Sequence, residues 1–419
     1  MIRRIEALRY RCLRDVLQET NSFHVLVGPN GSGKSTFLDV VSLLGDLLRE
    51  GLDRAVVQRS PNITDLIFKG SADTFELAVE LDIPPERRAR LQNGFDRARF
   101  EVALGLDAKG ERSIVAETLW LKPAETHSPA MPSQLPLFPS PPEPRPTLVL
   151  REGAHTPKGW RKVVTKKGEK GNDYFFSETT GWQNPFRLGP KKLALANLPE
   201  EEERFPVGTY VKRALMEGIQ SLVLNSEAMR RPAPPGSPRE FQPNGSNLPW
   251  VIEDLARKNP QAFQRWIAHV RTALPDLGTI ETVERPEDRH RYLRVVFSSG
   301  LAVPSWNVSD GTLRLLALTL IAYLDEPDRI FVIEEPENGI HPQAVETIFQ
   351  SLSSTFTSQV LCATHSPVML SLAEPQQLLC FAKTPEGVSA VVRGDAHPQL
   401  KEWKRSADLG TLFATGVLG

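Results

Sequence analysis

The sequence predicts an α/β fold in which an open sheet carries a phosphate-binding loop, joined by an antiparallel β subdomain, a central insertion and a helical lid subdomain. Three observations predict it. A short apolar run, Phe23-His-Val-Leu-Val27, leads into Gly28-Pro-Asn-Gly-Ser-Gly-Lys-Ser-Thr36, and Ser35 to Leu48 reads as a helix. Two more apolar runs, Ile330 to Ile333 and Val360 to Ala363, end in Glu334-Glu335 and Thr364-His365. Phe75, Leu77, Val79 and Leu81 recur at every second position, as do Phe100, Val102, Leu104 and Leu106, which is the period of a strand with one buried face.

The glycine-rich segment fits the pattern G-x-x-x-x-G-K-[ST] from Gly28 to Ser35, in the strand, loop and helix setting that the pattern requires. Asn30, Gly31, Ser32 and Gly33 are placed to turn backbone N–H groups onto phosphate oxygens at the positive end of the following helix, where Thr36 lies in the first turn. Lys34 reaches the β- and γ-phosphates, and the Ser35 hydroxyl holds Mg²⁺. A plain turn would need no lysine. ATP and Mg²⁺ are therefore the expected ligands.

Four apolar residues before Glu334 put both acids at the carboxyl end of a buried strand, the edge at which open α/β sheets bind ligands. Glu334 is assigned to Mg²⁺ or its water shell and Glu335 to the attacking water as general base. The run from Val360 to Ala363 delivers His365 to the same edge, where it can sense the γ-phosphate. Ser309-Asp310-Gly311 precedes Thr312 to Leu324, which is apolar on nearly every side and so reads as a buried helix with a phosphate-attracting amino end. An N-cap on a core helix would use the same serine and aspartate.

With these segments in order, the chain resembles ATP-binding-cassette ATPases of the SMC, Rad50 and RecF branch, and the ATPase half of overcoming-lysogenization-defect proteins. The resemblance is carried by the P-loop, by Trp306-Asn-Val-Ser-Asp-Gly-Thr-Leu-Arg-Leu-Leu-Ala-Leu318 as the signature motif, and by Glu334-Glu-Pro-Glu-Asn-Gly-Ile-His-Pro342 as Walker B with its following loop. It spans roughly residues 1 to 120 and 290 to 419. The resemblance implies a head-to-tail homodimer in which two nucleotides lie between one P-loop and the partner's Ser309-Asp310-Gly311. Two features depart from the wider class: Asp310 stands where a glycine is usual, and Glu334 replaces an aspartate. Gln58 is the nearest candidate for the class's glutamine loop.

The chain has 419 residues, 40% of them hydrophobic, and a net charge of −1. That length allows two to three domains, and the charge balance gives no global pull toward nucleic acid or anionic membrane. Any DNA contact must be local. Cys12, Cys362 and Cys380 show no metal spacing and are expected to be reduced thiols of a cytoplasmic protein. No apolar run is long enough to span a bilayer, so no membrane contact is expected.

The expected division is an ATPase part over 1–120, a proline-rich and basic insertion over 121–200, a helical lid over 201–289, and the rest of the ATPase domain over 290–419. Leu8 to Cys12 alternates like a half-buried strand, and Thr118 to Leu121 completes the antiparallel subdomain. Nine prolines between 121 and 146 mark a linker. Within it Gln134, Leu137 and Phe138 resemble the peptide by which bacterial replication and repair proteins dock on the sliding clamp; the alternative is that Leu137 and Phe138 fold back onto the ATPase lobe. Lys158, Arg161, Lys162, Lys166, Lys167 and Lys170 follow, mixed with Trp160, Tyr174, Phe175 and Phe176. Such a stretch can track single-stranded nucleic acid or form a solvated hairpin with an aromatic core. Asn259-Pro260 starts a helix whose Phe263, Trp266, Ile267, Val270 and Leu274 share one face.

Only 54 residues follow His365, too few for the nuclease domain fused to some related ATPases. If the chain controls nucleic-acid cleavage, a separate nuclease or toxin effector is the expected executor. The leading expectation is an Mg-dependent ATPase whose dimerisation switches a DNA- or effector-directed task such as DNA repair or phage defence. The alternatives are a nucleotide-binding subunit of a membrane transporter and a nonhydrolysing nucleotide sensor or scaffold.

Overall fold

The computed structural model describes residues 1–91, 94–123, 143–149, 156–167, 173–384 and 386–397. Gln134, Leu137 and Phe138 lie outside the described residues, as do most of the proline-rich segment and the chain after residue 397.

A six-stranded sheet carries the site. Its order is Ile219–Leu222, Ile330–Glu334, Gln359–Ala363, Phe23–Val27, Leu378–Lys383 and Ser389–Arg393, parallel throughout except for the last pair. Both faces are covered, which explains why these strands are continuously apolar. Leu26, Val332, Leu361, Leu379 and Phe381 face the helix Lys34–Glu50 and the antiparallel sheet, whereas Phe23, Val25, Phe331, Ile333 and Cys362 share a core with the helices Leu248–Lys258, Pro260–Ala273, Asp310–Leu320 and Pro342–Ser353. Because the strands are parallel, the loops after Val27, Glu334 and Ala363 emerge at one edge.

The expected antiparallel subdomain is an eight-stranded sheet, ordered Leu13–Glu19, Ile2–Tyr10, Thr74–Asp82, Phe95–Leu106, Arg112–Pro123, Arg161–Lys166, Asp173–Phe176 and Gln183–Phe186. The first strand begins well before Leu8 and ends at Tyr10; the chain reverses at Arg11-Cys12, with Arg11 at a φ of 50°. Alternation alone could not show that turn, since no glycine or proline marks it. The basic stretch, expected in an insertion of its own, extends this sheet: Arg161 to Lys166 pairs with Glu117 to Leu121. Its aromatic residues are engaged within the fold. Lys122 lies over the Trp160 ring at 4.6 Å and Lys162 over Trp120 at 5.2 Å, while buried Lys166 pairs with Asp173 at 3.6 Å.

Within the segment expected as a helical lid lie the helices Leu248–Lys258 and Pro260–Ala273, and a three-stranded sheet of Leu277–Glu284, Arg291–Phe297 and Ala302–Pro304 begins there and runs past residue 289. Asn259 caps the second helix by accepting from the Ala262 N–H at 3.0 Å. Phe263, Trp266, Ile267 and Val270 are buried in one cluster with Leu316 and Leu320, and the Trp266 indole donates to Thr319 Oγ1 at 3.0 Å. The helix expected over Thr312–Leu324 runs from Asp310 to Leu320 and tightens into a 3₁₀ turn at Ile321–Tyr323. No helix of the described residues is long and apolar enough to cross a membrane.

Candidate functional site

The loop after Val27 is shaped by three glycines at positive φ: Gly28 at 150°, Gly31 at 75° and Gly33 at 106°. A Cβ on Gly28 would come within 2.2 Å of the Phe381 carbonyl oxygen, and one on Gly33 within 2.4 Å of Ser389 Oγ. On Gly31 it would meet nothing within 4 Å, so that residue faces open space at the rim. Gly33 is the N-cap of the helix Lys34–Glu50 and supplies no side-chain cap; the first turn holds no acid. The N–H groups at the helix start are therefore left for an outside acceptor, which is the requirement for cradling phosphate. Asn30 and Gly31 are exposed, Ser32 is buried, and Thr36 accepts a long bond from the Cys12 thiol at 3.4 Å.

Lys34 Nζ donates to the Gly28 and Pro29 carbonyls at 2.8 and 3.1 Å, which holds the ammonium inside the loop. Burial lowers its pKa, against the opposing charges of Glu334 and Glu335. Ser35 Oγ donates to Glu334 Oε2 at 2.5 Å, although the two residues are 299 positions apart. A hydroxyl and a carboxylate at this spacing are hard oxygen donors of the kind Mg²⁺ prefers. They open on a cleft of about 340 Å³ that Asp39, Ser42, Gln58 and Val223 also line. Gln58 thus reaches this cleft, with its amide bonded to Glu50 Oε2 at 2.7 Å.

Glu335 takes a φ of 48°, a strained value for a residue with a side chain. Its N–H still bonds the Ala363 carbonyl at 2.8 Å, and Asn338 Nδ2 donates to its Oε2 at 2.5 Å. Such strain is held where the surroundings over-determine it. Glu335 and His365 line a second cleft of about 440 Å³, together with Glu337 and Asn338. Glu337 joins the loop after Glu335 to the strand end at Ala363: its Oε1 accepts from Thr364 Oγ1 at 2.5 Å and from the His365 N–H at 3.3 Å. Sequence reasoning gave Glu337 no role. Its only signal was a third acid three residues after Glu334.

Among the described residues no hydrogen bond or ion pair joins Ser309, Asp310 or Gly311 to the P-loop. Ser309 Oγ is the N-cap of the helix Asp310–Leu320, accepting from the Thr312 N–H at 3.2 Å. Gly311 packs so closely on the loop after Glu335 that a Cβ would come 2.6 Å from the Gly339 carbonyl oxygen.

The sequence profile of a family described as "AAA domain, putative AbiEii toxin, Type IV TA system" matches residues 23–371. Among curated proteins, none matches the chain by sequence. An SMC head solved with the C-winged helix domain of ScpA superposes with a TM-score of 0.53 at 15% identity, covering 93% of this chain and 97% of that one. A Pyrococcus furiosus SMC head with an extended coiled coil gives 0.49 at 14%, covering 93% and 95%, and a Thermotoga maritima SMC head gives 0.42 at 14%, covering 94% and 98%. At this identity the first likeness speaks for the fold alone, which is that of an SMC head.

Proposed function

The chain belongs to that AAA-domain family, and from this premise we propose that it hydrolyses ATP with Mg²⁺ and dimerises head to tail around two nucleotides. The observation that carries the reading is the meeting of Ser35 and Glu334 beside the Lys34 loop, with Glu335 and His365 on the adjoining cleft. Gly28 to Thr36 hold the triphosphate through backbone N–H groups and Lys34. Ser35 and Glu334 hold the ion, which when bound neutralises charge on the phosphate oxygens. The Glu334 carboxylate accepts directly from Ser35 Oγ. Glu335 takes the proton of the attacking water, and His365 lies beside the γ-phosphate.

In this reading Ser309 and Gly311 act on the nucleotide of the partner, as the resemblance to the cassette ATPases implies. The task switched by this cycle is effector- or DNA-directed, in phage defence or DNA repair; the family's description as a toxin of a type IV toxin–antitoxin system favours defence. Phosphate release by the purified protein tests the chemistry. It should require Mg²⁺ and ATP, and its absence at saturating nucleotide would leave a sensor or scaffold.

A further inference from the structure

The signature segment carries a carboxylate where a phosphate is expected to arrive. Asp310 is the first residue of its helix and its side chain is 59% exposed. Left uncompensated, that charge would oppose the attraction of the helix end for a triphosphate. The compensation comes from another element. Arg230, at the end of the short helix Ser226–Arg230, places Nη2 2.5 Å from Asp310 Oδ1. It also donates from Nε and Nη2 to the Val308 carbonyl at 3.2 and 3.0 Å, while its own carbonyl accepts from Ser305 Oγ at 2.9 Å. The guanidinium is thereby fixed along the segment Ser305–Asp310. An ion pair this open adds little to folding stability; its consequence is local charge.

We propose that Arg230 is a positioning residue of the composite site: by neutralising Asp310 it lets the signature segment meet the γ-phosphate held in the partner's P-loop. The proposal rests on the sandwich reading above. It explains how a signature with aspartate in place of glycine can face a triphosphate.

The test uses the full chain carrying Glu335→Gln as parent, with ATP-dependent dimerisation followed by light scattering. Arg230→Gln should raise the ATP concentration for half-dimerisation on the order of tenfold, with the melting temperature nearly unchanged. Adding Asp310→Asn should recover most of that loss, because the charge needing compensation is gone. Asp310→Asn alone, with Arg230 intact, should lower the midpoint, and this arm holds even if Arg230→Gln does not fold. The proposal is overturned if Arg230→Gln dimerises like the parent. It is equally overturned if the double variant stays as weak as the single, which would assign Arg230 to holding the Val308 carbonyl. A raised midpoint for Asp310→Asn alone would also overturn it. A parent that stays monomeric at saturating ATP overturns the sandwich reading, and this proposal with it.

Discussion

Glu334 and Glu335 are neighbours in the chain, yet they line different clefts. Glu334 ends an extended strand and bonds Ser35, whereas the left-handed φ of Glu335 puts it on the cleft with His365. Replacing Glu335 by Gln should leave ATP binding intact and reduce turnover by about a hundredfold or more, since an amide cannot take a proton from water. Lys34→Ala should instead weaken binding itself. Phosphate release and equilibrium binding of a fluorescent ATP analogue separate the two outcomes; equal turnover by wild type and Glu335→Gln would remove the base assignment. Glu337→Ala should lower kcat on the order of tenfold with little change in ATP affinity, because it loosens the Thr364–His365 corner, while Glu337→Gln keeps an acceptor and stays closer to wild type. Identical losses for the two variants would argue against that role. The acids at 334 and 335 were legible because they end an apolar run. The strain at Glu335 and the bridge by Glu337 were not, because both depend on how the loop returns to Ala363.

The strands and helices that frame the site are specified by continuous apolar runs and caps, and these the sequence displays directly. Phe23–Val27 and Ile330–Glu334 have the expected bounds because each is buried on both faces and closed by a loop. The outer sheet was less legible: pairing of Arg161–Lys166 with Arg112–Pro123 joins segments separated by the proline-rich stretch, and local pattern carries no information on such a contact. Within the P-loop strand, buried His24 has one ring nitrogen accepting from the Asn21 N–H at 2.8 Å and the other bonded to the Gln377 carbonyl at 3.1 Å. Burial pushes its pKa down from 6.5 to about 4. The folded protein keeps this ring neutral where the unfolded chain protonates it. Its contribution is therefore fully present above pH 6.5 and is lost as pH falls toward 4, by about 3 kcal/mol in all. Denaturant midpoints of wild type and His24→Gln should show the wild-type advantage shrinking over that window, and a constant gap would contradict the assignment. At the signature helix, Gly311→Ala should disturb the packing on Gly339 and lower ATPase activity more than thermal stability, to be read from turnover and melting on one preparation.

At the scale of the whole molecule, the proposed dimer asks each chain to supply a P-loop to one composite site and a signature segment to the other. The P-loop, Glu334, Glu335 and His365 gather at one sheet edge, while Ser309 to Gly311 cap a helix packed on the loop after Glu335. In the proposed head-to-tail dimer each nucleotide is closed by the partner's Ser309 to Gly311. The central claim is tested most directly by mixing two inactive proteins, Lys34→Ala and Ser309→Arg, and measuring phosphate release. Heterodimers combine the intact P-loop of one protein with the intact signature of the other, so an equal mixture should recover about a quarter of the wild-type rate if the sites act independently. A mixture as inactive as its components, alongside a wild type that hydrolyses ATP at full rate as a monomer in light scattering, would contradict the account.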